Sequence, residues 1–185
     1  MAIFAIALVP EGNIIRSIRE VSSSVFRSGD SLEALALPEG IFLGFYVEND
    51  QKGRGSLARS FKKQAQSLFA DLPPLIRFSF AANVEGKWYI VPETPIPAKI
   101  LAVADAIAEE SGLLPMESPP LARGSGFFAG NIVTPPPFGA FSFRHLDALL
   151  YRIESDSRDF DRAWWTVLSR VTRHTGIASL GASRH

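Results

Sequence analysis

Histidine is scarce and cysteine absent in this 185-residue chain, so the side chains equipped for chemistry are few. His145, His174 and His185 are its only imidazoles. His145 follows Arg144 in a predicted strand, His174 ends another, and His185 stands last in the sequence. Nothing places a partner beside any of them, so they read as surface or edge residues rather than general bases. Without cysteine there is no thiolate nucleophile, no disulfide framework and no cysteine-ligated zinc. Asp156, Asp159 and Asp161 lack the glycine and distal glutamate of an EF-hand and read as a polar turn. Gly53-Arg54-Gly55 is too short for a phosphate loop, and Ser125 has no visible base. These side chains assign no catalytic residue, no metal ligand and no cofactor.

A different signal lies in two apolar segments. Gly40-Ile-Phe-Leu-Gly-Phe-Tyr-Val47 and Gly126-Phe-Phe-Ala-Gly-Asn-Ile-Val133 share Gly, Phe, Gly and Val at their first, third, fifth and eighth positions, 86 residues apart. Side chains alternate along a strand, so Gly40, Phe42, Gly44 and Tyr46 share one face, as do Gly126, Phe128, Gly130 and Ile132. Each segment follows a predicted helix, which implies two related lobes facing each other across a pseudo-two-fold cleft. Phe42 and Phe128 then have two readings. Either they pack together and close the cleft, as aromatic pairs do at ~4.5–7 Å, or they sandwich a flat ligand such as a nucleobase, worth ~1–3 kcal/mol per base. Mid-strand glycines point to close approach by a ligand or another backbone. Arg123 adds a cation near the second copy.

The elements that must position these residues are legible from periodicity and punctuation. Residues 2–9 form a continuous apolar strand, ended by Pro10, and Asn13 offers an N-cap. Ile14, Ile18, Val21 and Val25 make one face of a helix running to Arg27. A strand over 40–47 and a helix over 55–71 follow. Ile76–Ala82 and Lys87–Val91 form a hairpin through Asn83–Gly86. A third helix starts at Pro97 and ends at Gly112. A Pro- and Gly-rich loop spans 115–126, and strands follow at 126–133, 141–153 and 164–173. The order β-α-β-α-β-β-α-β-β-β is an α+β pattern, antiparallel sheets lining a central cleft with helices outside. Residues 1–174 form one two-lobed domain, and 175–185 a frayed tail.

Composition narrows the class. Nineteen Lys and Arg balance nineteen Asp and Glu, and 46% of residues are hydrophobic, so the chain is an ordinary globular protein rather than a disordered tail or a basic nucleic-acid coat. Lys52, Arg54, Arg59, Lys62 and Lys63 form a local basic run that reads as a solvated helix face or as a phosphate- or RNA-facing patch. The apolar N-terminus lacks a basic flank and is far short of the ~20 residues a membrane span needs. The expectation is a cytoplasmic protein without a membrane partner.

With these segments in order, the sequence resembles the two-histidine phosphoesterase superfamily, which includes 2′,5′ RNA ligase and cyclic nucleotide phosphodiesterase domains. The likeness covers residues 2–173. It rests on Phe4–Pro10 followed by a helix, Pro38-Glu39 leading into the second strand, Trp88, and Pro135–Gly139 before a strand that ends Leu149–Arg152. The family's signature is His-x-Thr or His-x-Ser once per lobe: two imidazoles move protons on either side of a phosphate while two hydroxyls hold its oxygens. At the matching positions this chain has Gly40 and Phe42, then Gly126 and Phe128. Glycine has no proton to move and phenylalanine no donor, and loss of a single acid–base group costs ~10²–10⁴ in rate. The resemblance therefore implies a catalytically degenerate protein that binds a nucleotide, an RNA end or another small ligand in the former cleft. Contacts would come from Gly40, Phe42, Gly44, Tyr46, Gly126, Phe128, Gly130 and Arg123. The alternatives are a phosphoesterase with relocated groups such as His145, and an interaction scaffold with a closed cleft.

Overall fold

The computed structural model describes residues 2–27, 36–48, 57–131, 136, 138–155 and 163–173. Among these residues, nine strands and three α-helices follow in the order β1 (Ala2–Pro10), α1 (Gly12–Arg27), β2 (Ile41–Glu48), α2 (Leu57–Gln64), β3 (Ile76–Val84), β4 (Lys87–Pro92), α3 (Ala98–Glu110), β5 (Leu113–Pro115), β6 (Phe127–Gly130), β7 (Phe141–Phe143), β8 (Leu146–Ser155) and β9 (Ala163–Thr172). A 3-10 turn over Ala65–Phe69 extends α2. Glu85 and Gly86 both have positive φ in the β3–β4 turn, the conformation that matches hairpin twist, and the Asn83 side chain accepts the Gly86 N–H. Gly112, at φ +76°, ends α3 as the sequence indicates.

The strands form one antiparallel path, β7-β3-β4-β6-β2-β1-β8-β9, with β5 added against β2. Outward from the central β6–β2 pair, each half holds four strands. In each half a helix separates the inner strand in sequence from its sheet neighbour, β1-α1-β2 in one and β4-α3-β6 in the other, where the short β5 also intervenes between α3 and β6. This is the expected pair of pseudo-symmetric lobes, fused edge to edge.

The 141–153 stretch is not one strand. It breaks at Arg144-His145: β7 pairs with β3 in one half, whereas β8 pairs with β1 in the other. That break explains the sheet's curvature. Three residue steps separate Phe143 from Leu146, a reach of at most about 11 Å. In a flat sheet β7 and β8 would lie six strand spacings apart, roughly 29 Å. The sheet must curl, and it forms a half-barrel.

Its two faces carry two cores. Phe4, Ile6, Leu8, Ile41, Leu43, Phe78 and Phe127 pack on one face against Ile18 of α1, Phe61 of α2, and Ile100, Ala104 and Ile107 of α3. On the other face Ile3, Ala5, Ala7, Phe42, Phe45, Tyr89, Phe128, Leu149 and Tyr151 pack under Leu37 and Leu121, which come from loops. The first is the helix face and the second the loop face. No helix of the described residues is long and apolar enough to cross a membrane.

Candidate functional site

The two repeat segments meet at the centre of the sheet. Ile41 of β2 pairs with Phe127 of β6, and these positions are themselves 86 residues apart. An antiparallel pair has a local two-fold axis, so the axis between Ile41 and Phe127 maps one repeat onto the other.

Irregularities repeat as well. Between β1 and β2 the register slips where Ile6 faces Gly44 and Ala7 faces Phe42. Between β4 and β6 it slips where Trp88 faces Gly130 and Tyr89 faces Phe128. Gly44 matches Gly130 and Phe42 matches Phe128 at the 86-residue offset, and each slip leaves one extra inner-strand residue, Leu43 or Ala129. A bulge is a specified feature of a fold, and the same bulge in both halves ties them as copies.

The bulge changes which residues share a face. Beyond it Phe45 joins Phe42 on the loop face, and Tyr46 turns to the helix face with Leu43. Strict alternation placed Tyr46 with Phe42; the extra residue overturns that placement. Gly44 lies directly beneath the Tyr46 ring, where a Cβ would collide with the phenol. The Tyr46 hydroxyl donates to Asp105 Oδ1 of α3 at 3.0 Å, and Arg123 reaches the same oxygen at 2.8 Å. Arg123 also donates to the Leu43 carbonyl at 2.7 Å and the Leu101 carbonyl at 3.3 Å. Its guanidinium therefore satisfies the bulge and anchors its loop, and Arg123 also lines an open surface pocket of about 550 Å³ with Lys87, Tyr89 and Leu121. Ile132 lies outside the described residues.

Phe42 and Phe128 are both buried on the loop face, but they do not stack on each other. Phe42 stacks on Phe45 with centroids 4.8 Å apart and lies 6.5 Å from Tyr151. Phe128 lies 5.8 Å from Tyr89, with Lys87 Nζ 5.8 Å from its centroid. The space between them, walled by Leu37, Leu121 and Gly40, is about 10 Å³, room for one water at most.

A loop of the chain itself fills the rest. β2 and β6 share only the Ile41–Phe127 pair, and residues 116–124 follow β2 where they part. Met116 N–H donates to the Phe45 carbonyl at 2.9 Å, and Gly124 N–H to the Phe42 carbonyl at 2.7 Å. Lys87 Nζ donates to the Pro120 carbonyl at 2.7 Å, and the Ala122 N–H to the Tyr89 hydroxyl at 3.0 Å. Leu121 is thereby held, buried, in the same core and the same pocket wall as both phenylalanines. Asp105, Leu121, Lys87 and Tyr89 are the site residues that sequence reasoning missed. Asp105 alone left a signal, as the one carboxylate in the middle of an otherwise apolar helical run.

The backbone at the two lead-in glycines differs. A Cβ on Gly40 would press on Ala7 Cβ at 3.1 Å and Val9 Cγ2 at 3.3 Å, a crowded but yielding environment. Gly126 has φ +130°, and a Cβ there would overlap the Ile90 carbonyl oxygen and lie 2.9 Å from its carbon. Only glycine fits.

Burial holds the Tyr46 phenol far above its ordinary value near 10, with the Asp105 charge adding to the effect. Burial does the same for Tyr151, helped by Glu39. Each folded-state value exceeds the unfolded one, so the stabilisation is intact below about pH 10 and is lost as pH rises, because the unfolded chain ionises first. Stability should fall above pH 10 at up to about 1.4 kcal/mol per pH unit for each phenol. Urea midpoints at pH 8 and pH 11 check this, and Tyr46→Phe should remove about half of the loss.

The remaining candidates lie elsewhere. His145 is exposed, with Nδ1 3.9 Å from a Glu11 carboxylate oxygen. It lines a surface pocket of about 480 Å³ with the paired Asp147 and Arg170, and shares no lining residue with the Phe42–Phe128 space. Arg59, Lys62 and Lys63 are exposed on α2, the lysines in its last turn where cations suit the helix dipole. Lys52, Arg54, the aspartates at 156, 159 and 161, His174, His185 and the 175–185 tail lie outside the described residues. Among the described residues no cluster of His, Asp and Glu could hold a metal ion.

No protein-family model matches the sequence, and no curated protein does. Among solved structures, the crystal structure of a phosphoesterase is similar over 92% of this chain and 97% of that one, with a TM-score of 0.51 and 18% identity. That likeness joins the curled antiparallel sheet and its flanking helices to one architecture: the chain has the fold of a phosphoesterase.

Proposed function

We propose that this chain is a catalytically degenerate member of the two-histidine phosphoesterases that acts by binding rather than turnover, with its former cleft closed by its own loop. The observation that carries this reading is that the space lined by Phe42 and Phe128 is only about 10 Å³. The strand repeat, its shared bulge and its central axis support the kinship. Gly40, Phe42, Gly126 and Phe128 stand where the superfamily has its imidazoles and hydroxyls, and the Gly126 backbone has no room for a side chain. A closed interaction scaffold fits this arrangement better than a nucleotide held between Phe42 and Phe128 does, since a base needs several hundred cubic ångströms and hydrogen-bond partners.

A second reading keeps a nucleotide or RNA end as ligand. It is favoured by Lys87 beside the Phe128 ring, which joins a cation to an aromatic platform, and by the open pocket of about 550 Å³ that Lys87, Tyr89 and Arg123 line; only a base between Phe42 and Phe128 themselves would require residues 116–124 to leave the cleft. Incubation with 2′,3′-cyclic mononucleotides separates the readings. The expected result is no hydrolysis above buffer and no small molecule retained in native mass spectra of freshly purified protein. Hydrolysis abolished by His145→Ala would establish relocated catalysis instead, and a co-purifying nucleotide would establish the open-cleft reading.

A further inference from the structure

Among the described residues, the large exposed apolar side chains concentrate at the edge of the sheet, away from the cleft. Of the six large apolar side chains exposed among the described residues, four belong to β9: Trp164 at 48%, Trp165 at 37%, Val167 at 41% and Leu168 at 36%. β9 is ten residues long and ends the strand path, with β8 on one side and, among the described residues, no strand on the other. Folds ordinarily blunt such an edge with lysine, proline or inward-pointing charge. Residues 163–169, Ala-Trp-Trp-Thr-Val-Leu-Ser, contain none of these. The strand's one charge, Arg170, is paired with Asp147.

We propose that β9 pairs antiparallel with β9 of a second copy, making a two-fold dimer with one sheet running through both protomers. Three features select this occupant over another partner. The segment is uncharged, so pairing it with itself sets no like charges opposite each other. An antiparallel strand pair has the isologous two-fold symmetry that a homodimer needs. The β8–β9 register also defines where the axis falls. It is regular from Ala163 to Val167, and Leu168 is the extra residue of a bulge. Preserving the faces and using the whole regular segment centres the axis on Trp165, with Ala163 opposite Val167 and Trp164 opposite Thr166. Trp165 then meets its own copy on the loop face, while its other side keeps its edge-on contact with Tyr151 at 5.5 Å.

Interface size sets the expected strength. The exposed parts of the two tryptophans amount to on the order of 200 Å². Val167, Leu168 and the strand edge bring this to on the order of 400–500 Å² per protomer, below the size of stable specific interfaces and within that of weak, transient ones. The dimer should therefore separate on dilution to micromolar concentrations or below. Sedimentation velocity across a dilution series should show a species of twice the 20.2 kDa chain mass giving way to monomer. Val167→Lys should remove the dimer while leaving the circular dichroism spectrum unchanged. The chain has no cysteine, so cross-linking reads out the register cleanly. Trp165→Cys should form a disulfide dimer on mild oxidation, and so should a chain carrying both Ala163→Cys and Val167→Cys, which keeps the tryptophan. Leu114→Cys, exposed on β5, should not. A parent chain that stays monomeric at every concentration overturns the proposal. So does a dimer that survives Val167→Lys, or one in which neither cysteine variant cross-links faster than Leu114→Cys.

Discussion

Gly126→Ala is expected to destabilise the fold by about 3 kcal/mol or more, far beyond an ordinary glycine-to-alanine change. Two costs add. A φ of +130° is a conformation that L residues rarely adopt, worth about 1–3 kcal/mol by itself. The new methyl would also overlap the Ile90 carbonyl, and forcing a group into a packed site costs about 1–3 kcal/mol more. Gly40→Ala, at the equivalent point of the first repeat, should cost about 1 kcal/mol, because side chains rather than backbone crowd it. Gly139→Ala, with nothing within 4 Å, should be close to neutral. Urea midpoints of the three variants measure the ranking. Equal midpoints for Gly126→Ala and Gly139→Ala would remove the argument that no histidine fits at 126, and with it part of the case for lost catalysis.

Leu121→Ala should lower stability by about 3 kcal/mol, the usual cost of emptying a buried leucine site, and should open a dry cavity between Phe42 and Phe128. Benzene should then raise the melting temperature of the variant and leave the parent unchanged, since engineered apolar cavities of this kind take up such ligands. The loop itself should stay in place, because Arg123, Lys87 and Tyr89 still hold its backbone. If Leu121→Ala costs less than about 1 kcal/mol and gains no response to benzene, Leu121 is not a plug, and the closed-cleft reading loses its support.

Much of the architecture is legible in the sequence. The apolar run of β1, the 4-3-4 spacing on α1, the turn at Asn83–Gly86 and the terminating Gly112 all act over a few residues, and each element formed within a few residues of its expected bounds. β5 escaped notice because a three-residue strand carries no periodicity of its own and exists only through its pairing with β2. The break at Arg144-His145 escaped for a related reason: Phe141–Ile153 has strand composition throughout, and the choice of partner on each side of the break is long-range.

By itself the sequence determined that a segment of similar pattern recurs 86 residues on, at Gly40–Val47 and Gly126–Val133, and that strands and helices follow in an α+β order. Tertiary structure alone decided how those pieces face one another. It set the axis through Ile41 and Phe127, turned Tyr46 to Asp105 past the bulge, tied Arg123 to Asp105 and the Leu43 carbonyl, and brought Leu121 into one core with Phe42 and Phe128. The physical reason is that helix and strand periods arise from local backbone geometry, whereas a one-residue slip in register exchanges the faces of every residue beyond it and is settled only by pairing between segments distant in the chain.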